Sequence, residues 1–333
     1  MSAQLALSIV IPVYNGARSI GALVAALSAL AVPGGHEIIL VNDCSPDDSL
    51  AICRALLESA VVPMTLVNLS RNFGEHNAVM AGLRAARGAH IITMDDDLQN
   101  PPGEVLRLLQ YTQSSGKEVI YTRYARKWHA RWRNLGSRFT NRVADFVLDK
   151  PKGLYLSTFR CLSAFVARAV TDYHGPFPYI DGLILQATQE IGSLEVRHLP
   201  SARRRSNYTF RRLVRLWLNM FVNFSVMPLR LSTLTGFALS LLGLLGFAWV
   251  VIAALFSETP AGWASLTAAV MLLSGVQLLI LGLIGEYLGR LYLTINGKPQ
   301  NIVKEILRSD GSVKAAQPAG HYASVGTIEV KPA

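Results

Sequence analysis

The chain has 333 residues, of which 51% are hydrophobic and 16% are charged, and its formal net charge is +10. Both proportions are unusual for a wholly soluble protein. The excess of positive charge favours an anionic partner, either nucleic acid or the cytoplasmic face of a membrane. The three cysteines have neither metal-type nor disulfide-type spacing, which favours a reducing compartment.

Short apolar runs alternate with segments of helical periodicity in the first part of the chain. The amino terminus lacks a basic start and a cleavage site, so we interpret its apolar run as a strand and not as a signal peptide. We predict strands at residues 7–13, 37–41, 64–69, 91–94 and 119–121, with helices between them. This alternation predicts an α/β fold with a Rossmann-like, mostly parallel sheet. No dinucleotide-binding glycine signature follows the first strand, and a P-loop sequence does not occur.

Polar side chains recur where the predicted strands end, at Asn15, Asp43, Arg71, Asp95 and Asp97. Open parallel sheets bind their ligands beyond the carboxyl ends of the strands. The sequence therefore predicts one shared crevice at that edge of the sheet.

Three consecutive carboxylates, Asp95, Asp96 and Asp97, follow the apolar run at 91–94. Their mutual repulsion favours a divalent cation that shares a phosphate-bearing ligand. In an extended chain alternate side chains share a face, so we expect Asp95, Asp97 and Gln99 to point at one ion. The alternative is a solvated turn in which an Asp caps the next helix. An EF-hand is excluded because the loop lacks the required Gly and Glu.

A basic and aromatic segment follows the last predicted strand, at residues 122–133. Within and beyond it, Arg133 and Ser137 lie at helical spacing. Arginine forks and a hydroxyl suit a phosphate group. A nucleic-acid surface and a solvated basic face are the alternatives.

Residues 201–230 carry the densest positive charge, interleaved with aromatic and aliphatic residues at helical spacing. This pattern predicts amphipathic helices at a membrane interface. Two uncharged stretches follow, at 232–256 and 262–285, and each is long enough to cross a bilayer. The loop between them lacks Lys and Arg, so the positive-inside rule predicts that both termini and the α/β domain are cytoplasmic. The membrane thus accounts for the charge, and we expect no nucleic-acid partner.

Four motifs together resemble the family 2 glycosyltransferases, which have the GT-A fold. They are VIPVYN at 10–15, NDCS at 42–45, RNFG at 71–74 and DDDLQNPP at 95–102. GEYLGR at 285–290 resembles the segment that closes the second span in bacterial undecaprenyl-phosphate sugar transferases. With the two predicted spans, the combination resembles the polyprenyl-phosphate glycosyltransferases. These include dolichol-phosphate-mannose-synthase-like enzymes and bacterial undecaprenyl-phosphate sugar transferases. The resemblance covers residues 5–305.

The resemblance implies inverting transfer of a sugar from a nucleotide diphosphate sugar to the phosphate of a polyprenyl phosphate. It favours UDP over GDP as the donor nucleotide and undecaprenyl phosphate as the acceptor. It implies a multi-pass protein of the bacterial cytoplasmic membrane that supplies lipid-linked sugar for cell-envelope glycans or lipid modification. It also implies Mg²⁺ or Mn²⁺ as cofactor, and a two-span anchor is compatible with a homo-oligomer.

The resemblance also assigns roles to individual positions. The nucleotide sugar would be bound by Pro12, Tyr14, Asn15, Asp43 and Asp95. The metal would be held by Asp95, Asp97 and Gln99. The acceptor phosphate would be gripped by Arg123, Arg133 and Ser137, which with Asp97 form the implied catalytic set. Ser206 and Tyr208 would lie on the acceptor side.

Three positions depart from the family pattern. The family often has Glu at Gly16 and Asp at Asn42, and many members have Asp at Thr158, before a Phe-Arg pair. The first two departures affect the expected contacts with the nucleotide base of the donor. The third removes a carboxylate on the acceptor side. A lipid phosphate is already an anion near pH 7, so its reaction requires no general base.

We predict four regions in the chain. They are a cytoplasmic GT-A catalytic domain at 1–200, interfacial helices at 201–231, two transmembrane helices with a short non-cytoplasmic loop at 232–290, and a partly disordered cytoplasmic tail at 291–333. A processive polysaccharide synthase is a weaker alternative, because the Q-x-x-R-W motif and further spans are missing. A non-catalytic, membrane-anchored nucleotide-sugar-binding scaffold is another, but Asp95, Asp97 and Gln99 are intact.

Overall fold

The computed structural model of the protein describes residues 5–124, 154–199 and 262–315, with a few isolated residues between 232 and 245. The chain divides into two units. One comprises Met1–Phe210 with Gly297–Ala333, and the other comprises Arg211–Asn296.

The first unit alternates strands and helices as the sequence predicts. Its strands are β1 (Leu7–Val13), β2 (His36–Asn42), β3 (Met64–Leu69), β4 (His90–Thr93), β5 (Val119–Tyr124), β6 (Arg160–Ser163), β7 (Ile191–Val196), β8 (Val303–Arg308) and β9 (Val313–Ala315). Its helices are α1 (Ile20–Ser28), α2 (Ser49–Glu58), α3 (Glu75–Ala85), α4 (Pro102–Ser115), α5 (Ala164–Thr171) and α6 (Ile180–Ala187). The predicted strands at 7–13 and 64–69 have the same bounds as β1 and β3.

Within the described residues, nine strands form one sheet in the order β7-β5-β6-β4-β1-β2-β3-β8-β9. Its centre, β4-β1-β2-β3, is parallel, which confirms the predicted parallel α/β sheet. Antiparallel β6 and β8 flank this centre. The register pairs Val13 with Asn42 and Asn42 with Asn68, so these strands end at the same edge.

The central strands are apolar because both of their faces are covered. Every residue of β2 and β3 is buried, as expected for interior strands of a parallel sheet. On one face, α1 buries Ile20, Leu23 and Leu27 at helical spacing. Burial of such a side chain contributes about 1.5–3 kcal/mol, so these contacts hold the sheet and its helices together.

The segment after residue 297 differs from its prediction as a tail. Its strand β8 pairs antiparallel with β3, and β9 pairs with β8 at the sheet edge. Sequence reasoning missed β8 because its partner β3 is remote: Glu305 of β8 lies 237 positions after Asn68 of β3. Local periodicity carries no information about a pairing at that distance.

In the second unit, the helix α7 runs from Trp263 to Ile295. Its stretch Leu273–Ile295 has a mean hydropathy of 1.5, and among the described residues α7 is the one helix long and apolar enough to cross a membrane. The predicted span at 262–285 falls almost wholly within α7, which continues through the GEYLGR sequence. The other predicted span, at 232–256, lies largely outside the described residues and stays a prediction.

A buried carboxylate joins β1, β2 and the turn before β4. Glu37 is fully buried and accepts hydrogen bonds from Ser8 Oγ at 2.7 Å and from the Arg87 backbone N–H at 2.8 Å. The Arg87 guanidinium also donates to Glu37, at 2.7 Å. The neighbouring Gly88 lies against β1 so closely that an added Cβ would be 2.5 Å from the Ser8 nitrogen.

We expect Arg87→Ala to destabilise the first unit by about 3 kcal/mol, because it leaves the buried Glu37 charge without its cation. Thermal unfolding of the purified protein in detergent measures this change. Lys117→Ala is the matched control, since Lys117 pairs with Glu190 and both side chains are exposed. Such a surface pair contributes up to about 1 kcal/mol. Equal effects of the two substitutions would contradict the structural role of Glu37.

Candidate active site

The loops after β1 and β2 are hydrogen-bonded to each other. The backbone N–H groups of residues 15, 16 and 17 donate to Ser45 Oγ at 3.3 Å, Ser49 Oγ at 2.9 Å and Asp47 Oδ2 at 3.2 Å. Asn15 has a φ of 57°, a left-handed conformation in which Asn is tolerated. These contacts form one polar rim beside Pro12, with the ring of Tyr14 exposed for stacking.

Asp43, at the end of β2, holds the RNFG sequence in place. Its two carboxylate oxygens accept the backbone N–H groups of Phe73 at 2.7 Å and Gly74 at 2.8 Å. These groups precede the first residue of α3, so Asp43 serves as the cap of that helix from a distant part of the chain. Burial raises the pKa of Asp43, and the two backbone donors act in the opposite direction.

The acidic sequence after β4 turns at Leu98, so the extended-chain argument does not hold for Gln99. Leu98 has a φ of 61°, and the Gln99 N–H donates back to Asp97 Oδ1 at 3.0 Å. Asp96 is buried beside Gly16, where an added Cβ would lie 2.2 Å from Asp96 Oδ2. Any side chain at position 16 would therefore displace Asp96.

Asp95 and Asp97 both act electrostatically on Tyr124, at the end of β5. Burial, and after it the negative charges of Asp95 and Asp97, raise the pKa of Tyr124. Both carboxylates are half-buried, and so is Gln99. Two carboxylates and an amide oxygen suit a hard cation that completes its coordination with water or phosphate. No set of three His, Cys, Asp or Glu side chains within the described ranges is arranged to hold a metal.

Thr158 makes a contact that sequence reasoning did not foresee. Its hydroxyl donates to Asp95 Oδ2 at 2.7 Å, and its backbone carbonyl accepts from Thr93 Oγ1 at 2.6 Å. The side chain that stands where many family members have Asp is therefore a hydrogen-bond donor to a candidate metal ligand. The departure at position 158 was visible in the sequence, but its partner was not.

Below Thr158 lies a buried ion pair between Arg160 and Asp181. Tyr121 donates its hydroxyl to the same Asp181 oxygen at 2.9 Å. The pair borders a cavity of about 20 Å³ that also touches Asp95 and Pro12. A cavity of this size accommodates about one water molecule. Sequence reasoning assigned no role to Tyr121, Arg160 or Asp181.

The predicted acceptor-side residues are only partly covered by the structure. Arg123 lies on β5, is exposed, and pairs with Glu195 of β7 at 3.2 Å. Arg133, Ser137, Ser206 and Tyr208 lie outside the described residues, as do the predicted interfacial helices at 201–231. Their roles stay predictions.

We expect Asp43→Ala to loosen the start of α3, because two backbone N–H groups lose their acceptor. A lost cap of this kind costs about 0.5–2 kcal/mol. Hydrogen exchange read by mass spectrometry should show roughly ten-fold faster exchange at residues 73 and 74. Asp43→Asn keeps one acceptor oxygen and should show a smaller increase. Unchanged exchange in Asp43→Ala would contradict the capping role.

Two family descriptions match the chain. Residues 8–172 match Glycosyl transferase family 2, and residues 227–291 match the GtrB C-terminal hairpin. The first match spans the sheet from β1 to α5 and includes both acidic strand ends. The second contains most of α7.

Curated relatives match nearly the whole chain. An undecaprenyl-phosphate 4-deoxy-4-formamido-L-arabinose transferase from Pseudomonas savastanoi pv. phaseolicola is 32% identical over 317 residues, which is 92% of each chain. Proteins of the same name from Pseudomonas aeruginosa and Yersinia pestis are both 31% identical. They cover 95% and 91% of this chain, and 95% and 94% of their own.

Solved structures are less similar. Staphylococcus aureus TarS 1–349 in complex with UDP-GlcNAc has a TM-score of 0.46 and 18% identity, covering 66% of this chain and 67% of its own. Mycobacterium tuberculosis glucosyl-3-phosphoglycerate synthase has a TM-score of 0.48 and 16% identity, covering 66% and 78%. Both scores are below 0.5, so we draw nothing about this chain from their ligands.

The family assignment rests on the sequence matches and agrees with the parallel sheet and its acidic strand ends. The relatives exceed 30% identity and extend over more than nine-tenths of the chain. The chain therefore belongs to glycosyl transferase family 2 and is a glycosyltransferase.

Proposed function

We propose that this enzyme transfers a sugar, with inversion, from a UDP-sugar to the phosphate of undecaprenyl phosphate at the cytoplasmic face of the bacterial cytoplasmic membrane. The product is a lipid-linked sugar for cell-envelope glycans or lipid modification. The observation that carries the proposal is the pair of half-buried carboxylates, Asp95 and Asp97, that directly follow β4 of the parallel sheet. It occurs in a chain whose near full-length relatives are named for undecaprenyl-phosphate sugar transfer.

The donor nucleotide would occupy the rim formed by the loops after β1 and β2. Pro12 and the exposed ring of Tyr14 offer a surface for the base, and Asn15 offers an amide beside it. Both Asp43 oxygens already accept backbone N–H groups, so Asp43 would act mainly by holding the RNFG loop.

Asp95, Asp97 and Gln99 would hold Mg²⁺ or Mn²⁺ on the donor diphosphate. Such a cation neutralises the charge that develops on the leaving diphosphate. Thr158 orients one of these ligands through its 2.7 Å hydrogen bond to Asp95. A ligand held in this way loses less conformational freedom on binding.

The reaction would be a direct displacement. A phosphate oxygen of the acceptor attacks the anomeric carbon, the bond from that carbon to the diphosphate oxygen breaks, and the nucleoside diphosphate leaves. The attacking phosphate is already ionised, so no side chain needs to accept a proton. Thr158 agrees with this chemistry, because its hydroxyl donates a hydrogen bond where a carboxylate base would accept a proton.

Arg123 would help to position the acceptor phosphate. Its guanidinium pairs with Glu195 at 3.2 Å, but both side chains are about half exposed. An exposed pair contributes up to about 1 kcal/mol, so Arg123 can exchange Glu195 for a doubly charged phosphate. Arg133 and Ser137 would complete the phosphate site, and Ser206 and Tyr208 would line the acceptor side.

The membrane assignment rests on α7 and on the match of residues 227–291 to a C-terminal hairpin. We propose that the hairpin is two transmembrane helices within residues 232–290, preceded by interfacial helices at 201–231. The distribution of Lys and Arg supports a cytoplasmic location for both termini. The phosphate of a polyprenyl phosphate would then lie at the cytoplasmic surface of the same membrane.

The proposal is tested with the purified full-length protein in detergent, undecaprenyl phosphate and Mg²⁺ or Mn²⁺. A panel of UDP- and GDP-sugars includes the UDP derivative of the sugar for which the relatives are named. We expect one UDP-sugar to give a lipid-linked product with the inverted anomeric configuration, read by mass spectrometry and NMR. Absence of lipid-linked product across the panel would refute the proposed function.

With that donor, we expect Asp97→Ala to lower the transfer rate at least about 100-fold, because the leaving diphosphate loses charge stabilisation. The variant should still be recovered from the membrane in normal amount. Asp172→Ala is the matched control, since Asp172 is exposed at the end of α5. Substantial activity of Asp97→Ala at saturating metal would argue against the metal role.

A further inference from the structure

A directed line of hydrogen bonds connects β8 to the loop after β2. The Asn68 amide Nδ2 donates to Glu305 Oε1 at 2.8 Å. The Asn42 amide Nδ2 donates to Asn68 Oδ1 at 2.9 Å. Finally, the Ser45 backbone N–H donates to Asn42 Oδ1 at 3.3 Å. The first two hydrogen bonds pass from β8 to β3 and from β3 to β2, and the third joins β2 to the loop that follows it.

The direction of this line is set at Glu305. Partial burial opposes ionisation there, but hydrogen bonds from Asn68 and Arg54 lower the pKa of Glu305. An ionised carboxylate only accepts hydrogen bonds, so the Asn68 side chain must turn its NH₂ group toward it. Asn68 then presents its oxygen to Asn42, and Asn42 presents its oxygen to Ser45.

The far end of the line lies in the candidate donor rim. Ser45 Oγ donates to the Val13 carbonyl at 3.2 Å and accepts the Asn15 backbone N–H at 3.3 Å. Ser45 therefore joins the loop after β2 to the loop after β1. Asn42 and Asn68 are almost fully buried, at 1% and 3% exposure. A reversal of either amide would leave two acceptors or two donors face to face in the interior.

We propose that Glu305 is a positioning residue for donor binding, which acts through the amides of Asn68 and Asn42 on the loop at Ser45. Because Glu305 is negatively charged and turns the Asn68 oxygen toward position 42, that position requires a side chain that can donate a hydrogen bond, such as Asn. The family often has Asp there. The strand that follows the second unit thus shapes the nucleotide rim without touching the nucleotide. The proposal rests on the proposed function only in naming that rim as the donor site.

The test reverses the direction of the hydrogen bonds that Asn68 makes with its two neighbours. A carboxylate at position 42 can only accept hydrogen bonds. In Asn42→Asp, the NH₂ group of Asn68 can face either position 42 or Glu305, and the Asn68 oxygen then faces the other carboxylate without a donor between them. We expect this variant to bind UDP about ten-fold more weakly by calorimetry. Glu305→Gln alone still accepts from Asn68 and should change the affinity by less than about three-fold. In the double variant, the glutamine NH₂ can donate to a turned Asn68, so the affinity should return to within about three-fold of wild type.

Hydrogen exchange provides a readout that does not depend on any ligand. The amide of Ser45 should exchange faster in Asn42→Asp and return toward the wild-type rate in the double variant. Recovery of the exchange rate and the affinity in the double variant distinguishes a directed line of hydrogen bonds from simple damage to the core. If the two substitutions were independently destabilising, their effects would add. The proposal is overturned if Asn42→Asp leaves both exchange and affinity unchanged, or if the double variant is no better than Asn42→Asp. If wild-type protein binds no UDP, the donor assignment fails, and the exchange data still decide the role of Glu305.

Discussion

The position of β1 between two parallel neighbours is the constraint from which the site follows. β1 pairs with β2 on one side and with β4 on the other, in registers that align Val13 with Asn42 and Val10 with Thr93. The loops after all three strands must therefore emerge at one edge. At that edge, the loops after β1 and β2 contact each other directly through Ser45, Ser49 and Asp47.

Local signals predicted the parts of the fold that depend on local chemistry. Apolar β-branched runs located β1 and β3, and the acids after β4 located the candidate metal site. The turn at Leu98 escaped prediction because a positive φ at a leucine has no sequence signature. The Thr158–Asp95 contact escaped because its partners are 63 positions apart. The backbone-capping role of Asp43 escaped because its carboxylate suits a ligand equally well.

The three departures from the family pattern share one physical effect, which is to reduce repulsion between carboxylates. Each one removes a potential acid that would lie beside an acid the chain retains or, at position 42, would be linked to one through Asn68. Gly16 leaves space for Asp96, Asn42 supplies an NH₂ group to a line that ends at Glu305, and Thr158 supplies a hydroxyl to Asp95. Repulsion between carboxylates grows as they are buried, so a space or a donor at these positions lowers the free energy of the folded site.

The insertion of β8 beside β3 has a consequence for biosynthesis. The ribosome completes β3 more than 200 residues before it completes β8, and the hydrophobic second unit emerges in between. Until then β3 is a bare sheet edge with unpaired backbone groups, a template for aggregation. Final assembly of the first unit must therefore wait for the second unit to be made, and a version truncated before residue 297 would keep that edge open permanently.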